Sequence, residues 1–163
     1  GVHFAAAVCT NLSGDHLDYH GTMEAYAASK RVLFERLDVD AICVINADDA
    51  AVQDMAVGCA ARLVTCSLEG AGDVLGNVTS VDCSGVDMQV KACTGTVNVR
   101  VPLPGRHNAM NALQALAVAE ALGEDISQVA ERLGQAMGPA GRLEVIHQSP
   151  SVLVDFAHTD GAL

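Results

Sequence analysis

Ala41-Ile42-Cys43-Val44-Ile45-Asn46-Ala47-Asp48-Asp49 decides the fold class. Five consecutive apolar residues stop at an amide and two carboxylates. A strand buried on both faces ends in this way where it leaves a sheet. Ala5 to Thr10 repeats the pattern upstream and opens into Asn11-Leu12-Ser13, while Arg62 to Cys66 is a third short run. Between the first two runs, Thr22 caps a predicted helix that reaches about Leu37, with Glu24 in its first turn. A second helix is expected from about Asp49 to Val57. Strand, helix, strand, helix, strand in short succession predicts an α/β fold: a mostly parallel sheet flanked by helices.

Beyond Gly70 the pattern alternates, with breaks at Gly76, Ser84-Gly85 and Gly95. Val78–Val81, Val86–Val90 and Val97–Val101 therefore read as a three-stranded antiparallel meander within 70–101, ended by Pro102 and Pro104. A helix is expected from near Asn108 to Leu122, stopped by Gly123, and another from an Asp125 cap to about Met137. After the turn Gly138-Pro139-Ala140-Gly141, two strands at about Leu143–His147 and Val152–Asp155 complete the pattern.

Half of the 163 residues are hydrophobic and 18% are charged, so the chain can bury a core and is no disordered tail. With three Phe, two Tyr and no Trp, that core must be aliphatic. A formal net charge of −11 repels phosphate backbones, so no nucleic-acid partner is expected. No apolar run reaches the roughly 18 residues of a membrane span, and no signal peptide opens the chain. The six cysteines form no C-x-x-C pair, and Cys9 and Cys43 sit in apolar runs, where they act as small hydrophobes. Free thiols in a reducing cytoplasm are expected.

Four places carry chemistry. Asp15-His16-Leu17-Asp18-Tyr19-His20-Gly21 crowds carboxylates and imidazoles into a loop at a strand's carboxyl end, the edge where open α/β sheets bind ligands. A plain solvated loop reads as well. Lys30 shares a predicted helix face with Tyr26, Leu33 and Leu37. It is either a snorkelling lysine or a desolvated amine able to take up carbon dioxide, the resulting carbamate being an oxygen ligand suited to Mg²⁺. Asn108 and Asn111, three apart at a helix start, suit an adenine edge, although Asn108 alone reads as a helix cap. Arg142, after a glycine turn, can reach a phosphate, and Asp155, at a strand end, can accept ribose hydroxyls.

In order, Thr10-Asn11-Leu12-Ser13, Asp15-His16-Leu17-Asp18-Tyr19-His20-Gly21-Thr22-Met23, Tyr26 with Lys30, Asn46-Ala47-Asp48-Asp49, Gly105 with His107-Asn108 and Asn111-Ala112, Gly141-Arg142-Leu143-Glu144-Val145, and Asp155 with Ala157-His158-Thr159 resemble the central, ATP-binding domain of Mur ligases. The Asp-His-Leu-Asp-Tyr-His-Gly run and the Ala-His-Thr ending resemble the MurE branch. The resemblance implies an ATP-dependent ligase of peptidoglycan synthesis, adding meso-diaminopimelate or L-lysine to UDP-N-acetylmuramoyl-L-alanyl-D-glutamate through an acyl phosphate. It implies His16 and carbamylated Lys30 as ligands of a Mg²⁺, Asn108 and Asn111 on adenine, Arg142 near the phosphates and Asp155 on the ribose. His158 would lie at the hinge toward a following domain.

The chain also departs from the pattern. No G-x-x-x-x-G-K-[ST] phosphate loop occurs, Asp160 stands where Pro is usual, and Gly14 where Arg is. The whole chain, 1–163, is accordingly expected to be a partial central domain without its UDP-binding and carboxyl-terminal partners. Such a piece is expected to be inactive alone and prone to self-association. The rivals are another Mur-type ligase, such as a folylpolyglutamate synthetase, and a non-catalytic module derived from one.

Overall fold

The computed structural model describes residues 1–12 and 20–157. Its centre is one six-stranded sheet whose spatial order follows the chain: β1 (Ala6–Cys9), β2 (Ile42–Asn46), β3 (Arg62–Ser67), β4 (Val74–Asp82), β5 (Gly85–Ala92) and β6 (Gly95–Val101). β1 to β4 pair in parallel, and β4, β5 and β6 antiparallel. The expected meander forms, but as a continuation of the parallel strands rather than a sheet of its own. The sheet that does stand apart has two antiparallel strands, β7 (Glu144–Gln148) and β8 (Ser151–Val154).

Helices cover both faces of the parallel part. Strand β2 shows why: Ile42 and Val44 point one way, Cys43 and Ile45 the other, and all four are buried. Cys43 and Ile45 meet Phe34 and Leu37 from helix α1 (Met23–Glu35) and its exit, and Val52 of the short helix α2 (Ala50–Gln53). Ile42 and Val44 share a second core with helix α3 (Arg106–Ala121), helix α4 (Ile126–Leu133) and the inward side chains of β3 to β6. Thr22 caps α1 through the Ala25 amide, as expected. The buried stripe of α1, however, runs through Tyr26, Phe34 and Leu37, whereas Leu33 is 37% exposed. Steps of four, four and three place Tyr26, Lys30, Phe34 and Leu37 within about 80° of one another, and Leu33 falls about 20° beyond Tyr26, at the edge of the stripe farthest from Phe34.

All six cysteines are free thiols. Burial pushes the Cys43 thiol up to about 12, with the neighbouring Cys59 adding to it, and burial pushes Cys66 up to about 12 as well. Both are core atoms rather than nucleophiles. Among the described residues, no helix is long and apolar enough to cross a membrane.

The return from β3 to its parallel neighbour β4 takes only residues 68–73. The backbone amide of Asp73 donates to the Thr65 carbonyl at 2.9 Å, and its carboxylate takes the Thr65 amide at 2.8 Å and hydroxyl at 2.7 Å. These bonds hold the Asp73 carboxyl below its usual value. A depressed folded value means the bonds contribute fully above the unfolded carboxyl value, about 4, and are lost as pH falls through the lower folded value. The urea midpoint is therefore expected to drop below about pH 4. Asp73→Asn should lower it at neutral pH and flatten part of that acid slope, and an unchanged slope would remove Asp73 from the account.

Candidate nucleotide cleft

The carboxyl ends of β1, β2 and β3 are laced by the Asn46-Ala47-Asp48-Asp49 run. The Asn46 amide donates to the Thr10 carbonyl at 3.0 Å. Asp48 accepts the Leu68 amide at 2.7 Å and the Ser67 hydroxyl. Asp49 caps α2 through the Ala51 amide and accepts the Leu12 amide at 3.1 Å. The loop that leaves β1 is thus pinned on the β2 side by side chains that the strand's polar ending supplies.

A cleft of about 610 Å³ opens beside this edge. Asn11 lines it from the exit of β1; His107, Asn108 and Asn111 from the start of α3; Arg142, Leu143 and Asp155 from the turn and end of the β7–β8 hairpin. Four sequence-predicted site residues therefore converge, Asn108 and Asn111 lying 31 or more positions from Arg142 and Asp155. A second cleft, about 380 Å³, lies on the uncovered face of the meander among Asn77, Asp87, Gln89, Asn98 and Arg100, and touches none of them.

Asn108 is not the cap of α3. The cap is Gly105, and Asn108 lies inside the first turn, donating to the Pro104 carbonyl at 2.8 Å and accepting from the Asn111 amide at 3.2 Å. Each amide keeps a further N–H and a further lone pair beyond those bonds, so the pair can present both polarities to a ring edge. The turn before β7 is clamped too. The Gly141 amide donates to the Glu144 carboxylate at 2.7 Å, and its carbonyl accepts the Phe156 amide at 2.8 Å. Between them Leu143 is held at φ +44°, a left-handed strain for a leucine, and the Arg142 guanidinium stands 5.3 Å from the Phe156 ring centroid.

Lys30 lies away from this cleft. Its ammonium sits 4.7 Å from the Tyr26 ring centroid, and its charge reaches the Cys9 thiol at the end of β1. His16, with the rest of the Asp15–Tyr19 run, and His158 lie outside the described residues. The described residues by themselves contain no cluster of three His, Cys, Asp or Glu side chains able to hold a metal. Asn11 and His107 line the cleft as well. Both belong to the motifs that carry the resemblance, but the sequence assigned neither a role, because a loop asparagine and a helix-start histidine are ordinary until the fold brings them beside an amide pair.

A model of the Mur ligase middle domain matches residues 1–119. The chain belongs to the Mur ligase family. Over 170 residues and its full length it is 42% identical to a UDP-N-acetylmuramoyl-L-alanyl-D-glutamate--2,6-diaminopimelate ligase of Chromobacterium violaceum, of which it covers 34%. Over 174 residues it is 38% identical to the ligase of the same name from Chlorobaculum tepidum, again covering 34%. Among solved structures, a diaminopimelate ligase superposes with TM-score 0.78 at 34% identity, over 96% of this chain and 33% of that one. MurF from Acinetobacter baumannii superposes with TM-score 0.85 at 24% identity over 96% of this chain, a likeness of fold. The chain thus spans about a third of the length of these relatives.

Gly105 is the cap residue between the meander and the Asn108–Asn111 pair. Its φ is +97°, and a Cβ there would lie 2.6 Å from Cε1 of the His107 ring. Gly105→Ala is expected to cost more than about 1 kcal/mol in urea unfolding, since it combines left-handed strain with a steric clash. A loss within a few tenths would show that the turn relaxes freely.

Proposed function

We propose that this chain is the nucleotide-holding core of an ATP-dependent ligase of the MurE type. That enzyme would act in the cytoplasm and join meso-diaminopimelate or L-lysine to UDP-N-acetylmuramoyl-L-alanyl-D-glutamate. One observation carries the reading: the single cleft shared by Asn108, Asn111, Arg142 and Asp155. Its chemistry suits ATP. The amide pair offers a donor and an acceptor to adenine, Asp155 accepts ribose hydroxyls, and Arg142 supplies positive charge to phosphates in a chain of net charge −11. The names of the relatives support the choice of substrates. In that reaction a carboxylate of the UDP-linked dipeptide takes the γ-phosphoryl group, and the incoming amine then displaces phosphate, so catalysis is mostly positioning and charge neutralisation.

A Mg²⁺ would supply that neutralisation, and His16 with Lys30 as its carbamate are the residues proposed to hold it. The unmodified Lys30 ammonium resting on Tyr26 is a cation and cannot ligate; the neutral amine left by loss of a proton would add carbon dioxide and release a second proton, giving an anionic carbamate. The Lys30 helix shares a buried core with Cys9 at the end of β1, seven positions before His16 in the chain, which supports the pairing. No nucleic-acid or membrane partner is proposed.

The protein expressed from its complete coding sequence should release ADP and phosphate only when the UDP-linked dipeptide and one of the two amino acids are both present. Replacing Asn108 and Asn111 together by Ala should raise the KM for ATP by about tenfold or more, the loss of one to two good polar contacts. Absence of turnover with either amino acid would sink the ligase reading and favour a non-catalytic module. Lys30→Ala should lower kcat far more than it weakens ATP binding, with Lys30→Glu restoring part of it. Turnover within about twofold of wild type would leave Lys30 a snorkelling side chain.

A further inference from the structure

Gln114 is the one buried polar side chain of α3. It is 1% exposed, and its Nε2 donates to the Cys9 carbonyl at 2.9 Å. Its Oε1 is closed off from solvent and has no hydrogen-bond partner among the described residues. Swapping the two ends of the amide gives no relief, because the Cys9 carbonyl requires a donor. An aliphatic side chain would fill the same space without the orphaned Oε1, giving up only the bond to Cys9, and the rest of the buried face of α3 is aliphatic or Met: Ala109, Met110, Ala112, Leu113, Leu116 and Ala117. Among the described residues the desolvation of this atom is uncompensated, and the geometry of the neighbouring cleft gives it a use.

Asn108, Asn111 and Gln114 follow one another in steps of three along α3. Each step turns about 60° around the helix, so the row winds from the cleft wall down to the sheet. At its lower end Gln114 grips Cys9, two residues before Asn11, which lines the same cleft from the opposite side. Asn46 and Asp49 hold the Thr10–Leu12 segment from the β2 side. Gln114 holds it from the α3 side. We propose that Gln114 is a positioning residue for the nucleotide cleft: it sets the separation between Asn11 at the exit of β1 and the Asn108–Asn111 pair on α3. The proposal rests on the nucleotide reading of that cleft. Gln114 does not touch the ligand, since its Oε1 has no access to the cleft.

The test uses the protein expressed from its complete coding sequence, with ATP and Mg²⁺ as the probe. Gln114→Leu removes the bond to Cys9 together with the orphaned acceptor, and Gln114→Met does the same with a more adaptable side chain. Both should keep the wild-type Tm within a few degrees or raise it, while the KM for ATP rises about fivefold and the KM for the UDP-linked substrate stays put. Met55→Ala, in the other core, is the control for simple core damage: it should lower Tm with the KM for ATP unchanged. An unchanged KM for ATP in folded Gln114→Leu or Gln114→Met, beside a wild type that uses ATP, overturns the proposal alone. A collapse of Tm in both variants makes Gln114 a structural core residue and also overturns it. A wild type with no ATP dependence overturns the nucleotide reading itself, and the proposal with it.

Discussion

Leu113 and Leu116 of α3 are wholly removed from water against the inward faces of the sheet, together with Ala109 and Ala117. This helix is the floor on which both halves of the sheet rest: the parallel strands β2 and β3, and the antiparallel strands β4 to β6. The aliphatic composition makes the arrangement feasible. Ala109, Ala112 and Ala117 allow close approach of helix to sheet, and the valines of β5 and β6 interdigitate where aromatic rings would hold the layers apart. Because the first turn of α3 is fixed by that burial, Asn108 and Asn111 are held at a constant height above the sheet edge.

The cleft is therefore a by-product of packing at one end and of hydrogen bonding at the other. The wall made by α3 is set by apolar contact, a non-directional force that tolerates small slips. The opposing wall, the exit of β1, is set by directional bonds from Gln114, Asn46 and Asp49. Arg142 and Asp155 come from a third source, the β7–β8 hairpin, whose Ile146, Val152, Leu153 and Val154 are all exposed. The bonds that clamp its turn are internal to the hairpin, and Ser151 at the start of β8 meets Cys83 of the β4–β5 turn at 3.4 Å.

Legibility in the sequence varied with the physics of each element. The strands β1 to β3 and their helices were readable because burial on both faces leaves unbroken apolar runs closed by polar residues. The caps Thr22 and Asp125 were readable because an N-cap is a local transaction between one side chain and amides two or three residues on. The inward stripe of α1 was only half readable. Leu33 and Phe34 are both apolar, and the choice between them depends on the roll of the helix against β2, which periodicity alone does not fix. The meander was visible as alternation, but its continuity with the parallel strands was not, since it depends on the six-residue return that Asp73 and Thr65 hold together.

The sequence by itself determined the family motifs, the alternating α/β pattern, the acidic charge and the residue types suited to adenine, ribose and phosphate. All of these are properties of neighbours along the chain or of composition. Tertiary structure alone decided that Asn108 lies inside a helix rather than capping it, because Gly105 with φ +97° starts that helix three residues earlier. It alone brought Asn11 and His107 to the same cleft as Arg142 and Asp155, and it alone exposed Gln114 as a buried amide bonded to a strand 105 residues away. Contacts across such separations depend on how layers pack, and a residue's own neighbours in the chain carry no record of that.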